Sequence, residues 1–283
     1  MAQRKTGARD APAKIAGAQS IRRAVTILRL LAVGQEHGVR LTDIVEESGL
    51  NRPTVHRILR VLAEEGAVEQ DTESRRYMIG QEVSLLGLAR SARFPIRAIA
   101  DPYLQHICEQ AGDTVFLTIR NGFDSICVDR KTGNYPIKVL SIEVGARRPL
   151  GVGVGGLALL AFLAEDETAA IIKANEQRLA RHKLAPARLI ERVRQTRAKG
   201  YAYTDIGVVP GTRAIAVPVL DPAREPVAAI SIAATKERLS AARVAILVEL
   251  MKEQAGLISR RRGEINRARA KAVGRATTLT RQR

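Results

Sequence analysis

Five arginines, a histidine and a threonine lie close together in the first third of the chain: Arg52, Thr54, His56, Arg57, Arg60, Arg75 and Arg76. A guanidinium is permanently charged and planar, and its fork of donors fits a phosphate or the O6/N7 edge of a guanine. Threonine and histidine add shorter polar contacts. The set has no carboxylate or nucleophile arranged for bond breaking, so the chemistry it offers is recognition of a polyanion.

Such residues act together only if a rigid element presents them. Unrolled at 100° per residue, a helix starting near Asn51 gathers Val55, Ile58, Leu59 and Leu62 on one side. Pro53, His56, Arg57 and Arg60 fall opposite, with Arg52 at the flank and Thr54 near the boundary. Pro53 suits the first turn, where no intrahelical donor is needed. A shorter helix before it is expected to start at Thr42 as N-cap, with Asp43 in its first turn, and to stop at Gly49. Two helices joined by a glycine-containing turn form a helix-turn-helix, whose second helix enters the major groove. Gly66 then turns the chain into a hairpin, residues 67–69 and 75–79, with Asp71-Thr72-Glu73-Ser74 as its tip and Arg75 and Arg76 at its base. A preceding helix over 21–32, with Ser20 as cap and an apolar face of Ile21, Ala24, Val25, Leu28 and Leu31, would complete a three-helix core.

This segment resembles the DNA-binding domain of the IclR family of bacterial transcription factors. The matching residues are Leu41-Thr42, Ile44, Gly49-Leu50, Thr54-Val55, Arg57-Ile58-Leu59, Leu62, Gly66, Val68 and Arg76-Tyr77-Met78-Ile79-Gly80. Pro53 stands where the family usually has serine, which removes one hydroxyl able to reach a phosphate. The resemblance extends to about residue 262. It implies a ligand-responsive regulator in which a homodimer, possibly a dimer of dimers, reads a pseudopalindromic operator on double-stranded DNA.

The 283-residue chain is long enough for two domains, and its net charge of +17 is unevenly placed. Residues 15–90 carry ten basic and ten acidic groups, whereas 259–283 carry a net +8. Segregation of charge, not its total, must therefore make the first domain's DNA-facing side positive. The two cysteines are too few for a disulfide framework, and no apolar run is long enough for a membrane span or a secretory signal. The expectation is a cytoplasmic protein.

The chain then reads as a disordered basic arm (1–18), a winged helix-turn-helix domain (19–80), a linker helix (81–95), an effector and oligomerisation domain (96–262) and a disordered basic tail (263–283). In the second domain, strands are expected at 114–120, 125–130, 137–144, 213–220 and 227–234. Helices are expected at 96–112, 157–163, 165–175, 186–199 and 239–262. Strands, a helical insert and strands again make this an α+β fold with an antiparallel sheet flanked by helices. It is similar to the GAF-like sensor of the IclR family.

The glycine-rich run from Gly145 to Gly156 precedes a helix whose free N-terminal amides could take an anion. No lysine follows as in a P-loop, and glycines for close packing explain the run equally well. It looks like the family's loop bordering the effector pocket, with Gly151, Gly153 and Leu157 replacing the family's His, Thr and Lys. Gly207 and Ala214 stand where the family often has an acidic residue and a cysteine. These losses of polar groups predict a roomier, more apolar pocket, suited to an aromatic or longer-chain carboxylate. Leu150, Gly155, Gly156, Asp205, Ala214, Ile215 and Ser231 are its expected lining.

No catalytic residue, metal ligand set or cofactor motif stands out. His106 and Cys108 are two apart on a helix and face different ways, and Cys108 and Cys127 read as small buried hydrophobes. Two other classes stay open: a nonspecific architectural DNA binder driven by the basic termini, and a sensor domain that turns over its ligand.

Overall fold

Helices α1 (Gln19–Gly34), α2 (Leu41–Ser48) and α3 (Arg52–Glu64) pack around Ile27, Leu31, Ile44, Val55 and Leu59, all nearly or fully buried. The computed structural model describes residues 18–34, 37–91, 96–205 and 209–280, and the chain divides between Arg90 and Ser91 into two compact units. The expected arm at residues 1–17 lies outside the described residues.

In the first unit, α3 begins as its residues dictate. The Asn51 side chain accepts the Thr54 N–H at 3.0 Å, and Pro53 sits in the first turn. Gly49 ends α2 at φ 65°, the left-handed conformation that glycine adopts without strain. Helix α2, however, starts a residue early. Arg40 is its N-cap, and the Thr42 hydroxyl donates to Asp43 Oδ1 at 3.2 Å instead of capping. The apolar face of α1 is also narrower than expected: Ile27 and Leu31 are buried, while Ile21 and Val25 are exposed. They lie on the flank of the helix, turned away from the Ile27–Leu31 direction that faces the core.

Strands β1 (Val68–Gln70) and β2 (Tyr77–Ile79) form the antiparallel wing, and Val39 bridges to Tyr77 as a third line of pairing. Asp71 shapes the tip by accepting from the Ser74 N–H at 2.7 Å and the Ser74 hydroxyl at 2.6 Å. These bonds to the charged form hold the Asp71 carboxyl below the usual carboxylate range. Helix α4 (Gln81–Ser91) follows, and residues 92–95 of the expected linker lie outside the description.

The second unit opens with α5 (Ile96–Ala111) and is built on a six-stranded, wholly antiparallel sheet. Its strands are β3 (Thr114–Asn121), β4 (Asp124–Lys131), β5 (Arg147–Pro149), β6 (Ala202–Thr204), β7 (Thr212–Leu220) and β8 (Pro226–Thr235), in the order β5-β4-β3-β8-β7-β6. One face packs Val115, Leu117, Ile215, Val217, Ile230 and Ile232 on α5 and α9 (Ala241–Thr280). The other face carries α6 (Gly153–Ala161), α7 (Glu165–Arg181) and α8 (Pro186–Lys199). The architecture is the expected α+β one.

Three local expectations change. Residues 137–144 form no strand; Val139, Ile142 and Val144 instead pack on Phe116 and Cys127 as a covering loop. Their β-branched residues satisfy burial without pairing, because the edge of β4 is taken by β5, three residues too short to have stood out. The short edge strand β6 escaped notice for the same reason. Finally, the segment expected as a disordered tail continues α9 to Thr280. Alanine, arginine, lysine and glutamate there are good helix formers, and Ile265 still reaches the core.

Candidate functional site

In the first unit, period 3.6 sorts α3 as its sequence implied. Val55 and Leu59 are buried and Ile58 and Leu62 half-buried, while Arg52, Pro53, His56, Arg57 and Arg60 are exposed and Thr54 lies between. An open groove of about 850 Å³ runs between α3, the start of α2 and the wing. Arg40, Arg52, Arg57, Arg60 and Arg75 line it with His56, Gln70 and Ser74, and no acidic residue among the described residues does. A unit with balanced charge thus presents one positive face.

Its arginines are not equivalent. Arg60 Nε donates to Glu64 Oε1 at 3.0 Å one turn along α3, so part of its charge is already answered. Arg76 turns inward, donating from Nη1 to the Gly38 carbonyl at 3.2 Å and the His37 carbonyl at 3.5 Å. It ties the wing to the α1–α2 connection. Arg75, at φ 57°, holds a left-handed conformation uncommon outside glycine and aims into the groove.

In the second unit, a cavity of about 160 Å³ lies between the sheet and α6. Gly155, Gly156, Ala214 and Ser231 line it as expected; Leu150, Asp205 and Ile215 do not. Successive strand residues point to opposite faces, so Ala214 and Ile215 cannot both face one cavity, and Ile215 belongs to the α5–α9 core. Leu150 is wholly buried among Leu157, Leu160 and Leu189 under α6. Asp205 sits in the open, paired to Arg213 Nε at 2.6 Å, which holds its carboxyl below the usual range. Gly207 lies outside the described residues.

The glycines serve close packing first. A Cβ on Gly155 would come within 2.7 Å of Thr118 Oγ1, and one on Gly156 within 2.9 Å of Ser125 Oγ. With no side chain there, α6 lies directly on β3 and β4, and its first turn opens to the cavity. Val152 supplies no side-chain cap, so the leading amides keep their donors.

The lining mixes polar groups with a larger apolar surface. Thr118, Ser125, Ser141, Thr204, Thr212 and Ser231 bring hydroxyls, while Phe116, Ile142 and Val152 bring apolar surface. Two arginines, not foreseen, also enter it: Arg148 from β5 and Arg192 from α8. Burial pushes both guanidinium pKa values down; Arg188 adds to the effect at Arg192. Arg148 Nη2 donates to the Ser141 carbonyl at 3.2 Å, and neither arginine is paired with a carboxylate among the described residues. Strand alternation places Arg148 toward the cavity while its neighbour Arg147 points away to Asp124 at 3.0 Å, but β5 was too short to be read from the sequence. Nothing local marks Arg192, which reaches the cavity only because α8 packs beside α6 and β6. Cys127 also lines the cavity as a protonated thiol, its pKa pushed up to about 11 by burial.

The comparisons with known proteins agree with this geometry. A family model described as the IclR helix-turn-helix domain matches residues 20–72, and one described as the bacterial transcriptional regulator IclR C-terminal matches residues 89–260. The transcriptional repressor IclR of Escherichia coli (strain K12) is 29% identical over 259 residues, covering 88% of this chain and 93% of that protein. The HTH-type transcriptional regulator BhcR of Paracoccus denitrificans is 32% identical over 247 residues, covering 86% and 87%. Among solved structures, an IclR transcriptional regulator from Alicyclobacillus acidocaldarius superposes with a TM-score of 0.67 at 26% identity, covering 85% of this chain and 97% of that one. With α3 and its wing in the first unit and the helix-flanked antiparallel sheet in the second, the chain belongs to the IclR family of bacterial transcriptional regulators.

Proposed function

We propose that the groove of the first unit binds a pseudopalindromic operator as a homodimer in the cytoplasm, under control of an organic acid bound in the cavity of the second unit. The observation that carries the DNA reading is the grouping of five arginines around one groove that no carboxylate among the described residues lines. Arg52 and Arg57 are the contacts free to read base edges, with Thr54 and His56 beside them. Arg75 supplies a phosphate contact from the wing, Arg60 contributes in competition with Glu64, and Arg76 fixes the wing's place. Gly155, Gly156, Ala214, Ser231, Arg148 and Arg192 form the acid's site. Domain 81–95 is the link through which the acid biases the placement of the DNA-binding units, and no helix among the described residues is long and apolar enough to cross a membrane.

Selection of bound genomic fragments by the full chain tests this. The expected result is a motif of two half-sites about one helical turn apart, lost in Arg52→Ala and Arg57→Ala. Binding that ignores sequence and disappears with residues 259–283 would support the architectural alternative instead. A panel of organic acids added to the selected complex then tests control, with release or tightening of DNA as the readout.

A further inference from the structure

We propose that the cavity of the second unit is built for a dianion, a dicarboxylate with a short apolar or single-ring spacer, held between Arg148 and Arg192. The proposal rests on the organic-acid reading of that cavity. Strand β5 and α8 stand at opposite edges of the sheet: β5 ends the strand order on one side, while α8 packs on β6 at the other. The two guanidiniums therefore enter one 160 Å³ space from different sides. No aspartate or glutamate lines it, and Arg192 has no hydrogen-bonding or ionic partner among the described residues.

Each guanidinium, partly stripped of water, favours an anion that answers it. A single carboxylate at one side leaves the other guanidinium uncompensated. Two carboxylates answer both. Between them Phe116, Ile142, Val152 and Ala233 offer apolar wall, and the volume is close to that of an engineered cavity of about 150 Å³ that admits benzene. One aromatic ring or a chain of a few methylenes fits such a space, while the hydroxyls of Thr118, Ser125 and Ser231 can complete the carboxylate oxygens' hydrogen bonds.

Calorimetric titration of the full chain tests this with matched pairs: glutarate against pentanoate, and terephthalate against 4-methylbenzoate. The diacid of at least one pair is expected to bind tenfold or more tighter than its monoacid. Arg192→Gln should erase that advantage, bringing each diacid to the affinity of its monoacid partner in the same variant, while Arg192→Lys, which keeps the charge, should retain part of it. Thermal unfolding establishes that each variant folds; should Arg192→Gln not fold, the wild-type pairs decide alone. Equal or weaker binding of both diacids overturns the two-charge site while leaving an organic-acid cavity, with one carboxylate shared by both arginines. Failure of all four acids to bind overturns the organic-acid reading and the dianion with it.

Discussion

The recognition helix and the cavity of the second unit both present arginines, and water treats the two sets differently. Arg52 and Arg57 stand exposed on α3, hydrated and costing nothing to hold. As the proposed DNA contacts, they should gain in part by displacing counterions, an attraction that weakens steeply with salt. Arg148 and Arg192 have lost part of their hydration, and burial has lowered their pKa values. An anion there meets a field that solvent screens poorly, so its binding should depend less on salt. One residue type is thus suited to a long polyanion or to a small anion according to how dry its surroundings are.

A third site shows what dehydrated arginines in this fold accept. Asp113, almost fully buried, takes Arg238 Nε at 2.7 Å and Arg243 Nη2 at 2.9 Å, and Arg238 also stacks 3.8 Å over the Tyr135 ring. Arg238 comes from the turn before α9 and Arg243 from its first turn, so a single carboxylate serves them. Asp113→Ala would leave the two uncompensated and should give the largest effect, about 3–5 kcal/mol of destabilisation. Thermal unfolding reads this as a fall on the order of 10 °C. A fall of only a degree or two would mean that water answers these arginines well, and would weaken the contrast drawn for the cavity.

Next come two changes of about 1–3 kcal/mol, one in each unit. Arg57→Ala should weaken operator binding by that much while random DNA loses less, if Arg57 reads a base. Equal loss on both would make it a phosphate contact. Gly155→Ala places a Cβ 2.7 Å from Thr118 Oγ1 and 3.1 Å from its Cβ, so α6 must shift off the sheet. Stability should fall, and acid binding should fall with it because the cavity wall moves. Unchanged stability would show that α6 can slide at little cost.

The same contrast explains what the sequence made legible. The roles of Val55, Leu59 and Arg57 follow from one helical period, because the first unit's core is made by neighbours along the chain. Even there Ile21 and Val25 were misassigned, since the buried stripe of α1 follows Ile27 and Leu31 and leaves that flank to solvent. In the second unit, the glycine-rich motif pointed to Gly155, which lies beside the cavity, and strand alternation alone could have excluded one of Ala214 and Ile215. Arg192 could not be found so. Its place depends on α8 crossing beside β6, a tertiary fact with no trace in the residues around it. The continuation of α9 to Thr280 was missed because charge was read as disorder where helix propensity and Ile265 decided otherwise.

A smaller effect separates the arginines of α3 from each other. Arg60 is already paired with Glu64, both well exposed, a pair worth about 0.3–0.5 kcal/mol at most. Arg60→Ala should therefore weaken DNA binding less than Arg57→Ala and mainly flatten its salt dependence. A loss as large as that of Arg57→Ala would show that Arg60 leaves Glu64 on binding DNA.

The smallest effect reads the field of the cavity arginines directly. Burial, then the charges of Arg148 and Arg178, hold the His182 pKa below its ordinary 6.5. The unfolded chain therefore binds a proton at His182 more readily than the folded one. Stability from this group is fully present above the unfolded value and is lost as pH falls through the lowered folded value. His182→Asn should remove a small part of the decline in melting temperature between about pH 7 and pH 5. A dicarboxylate that answers Arg148 should have the same sign in the wild type, because imidazolium then meets less positive charge. A decline unchanged by either would mean that solvent already screens Arg148 from its surroundings, and that the cavity is nearer to the groove of α3 in character than its buried arginines imply.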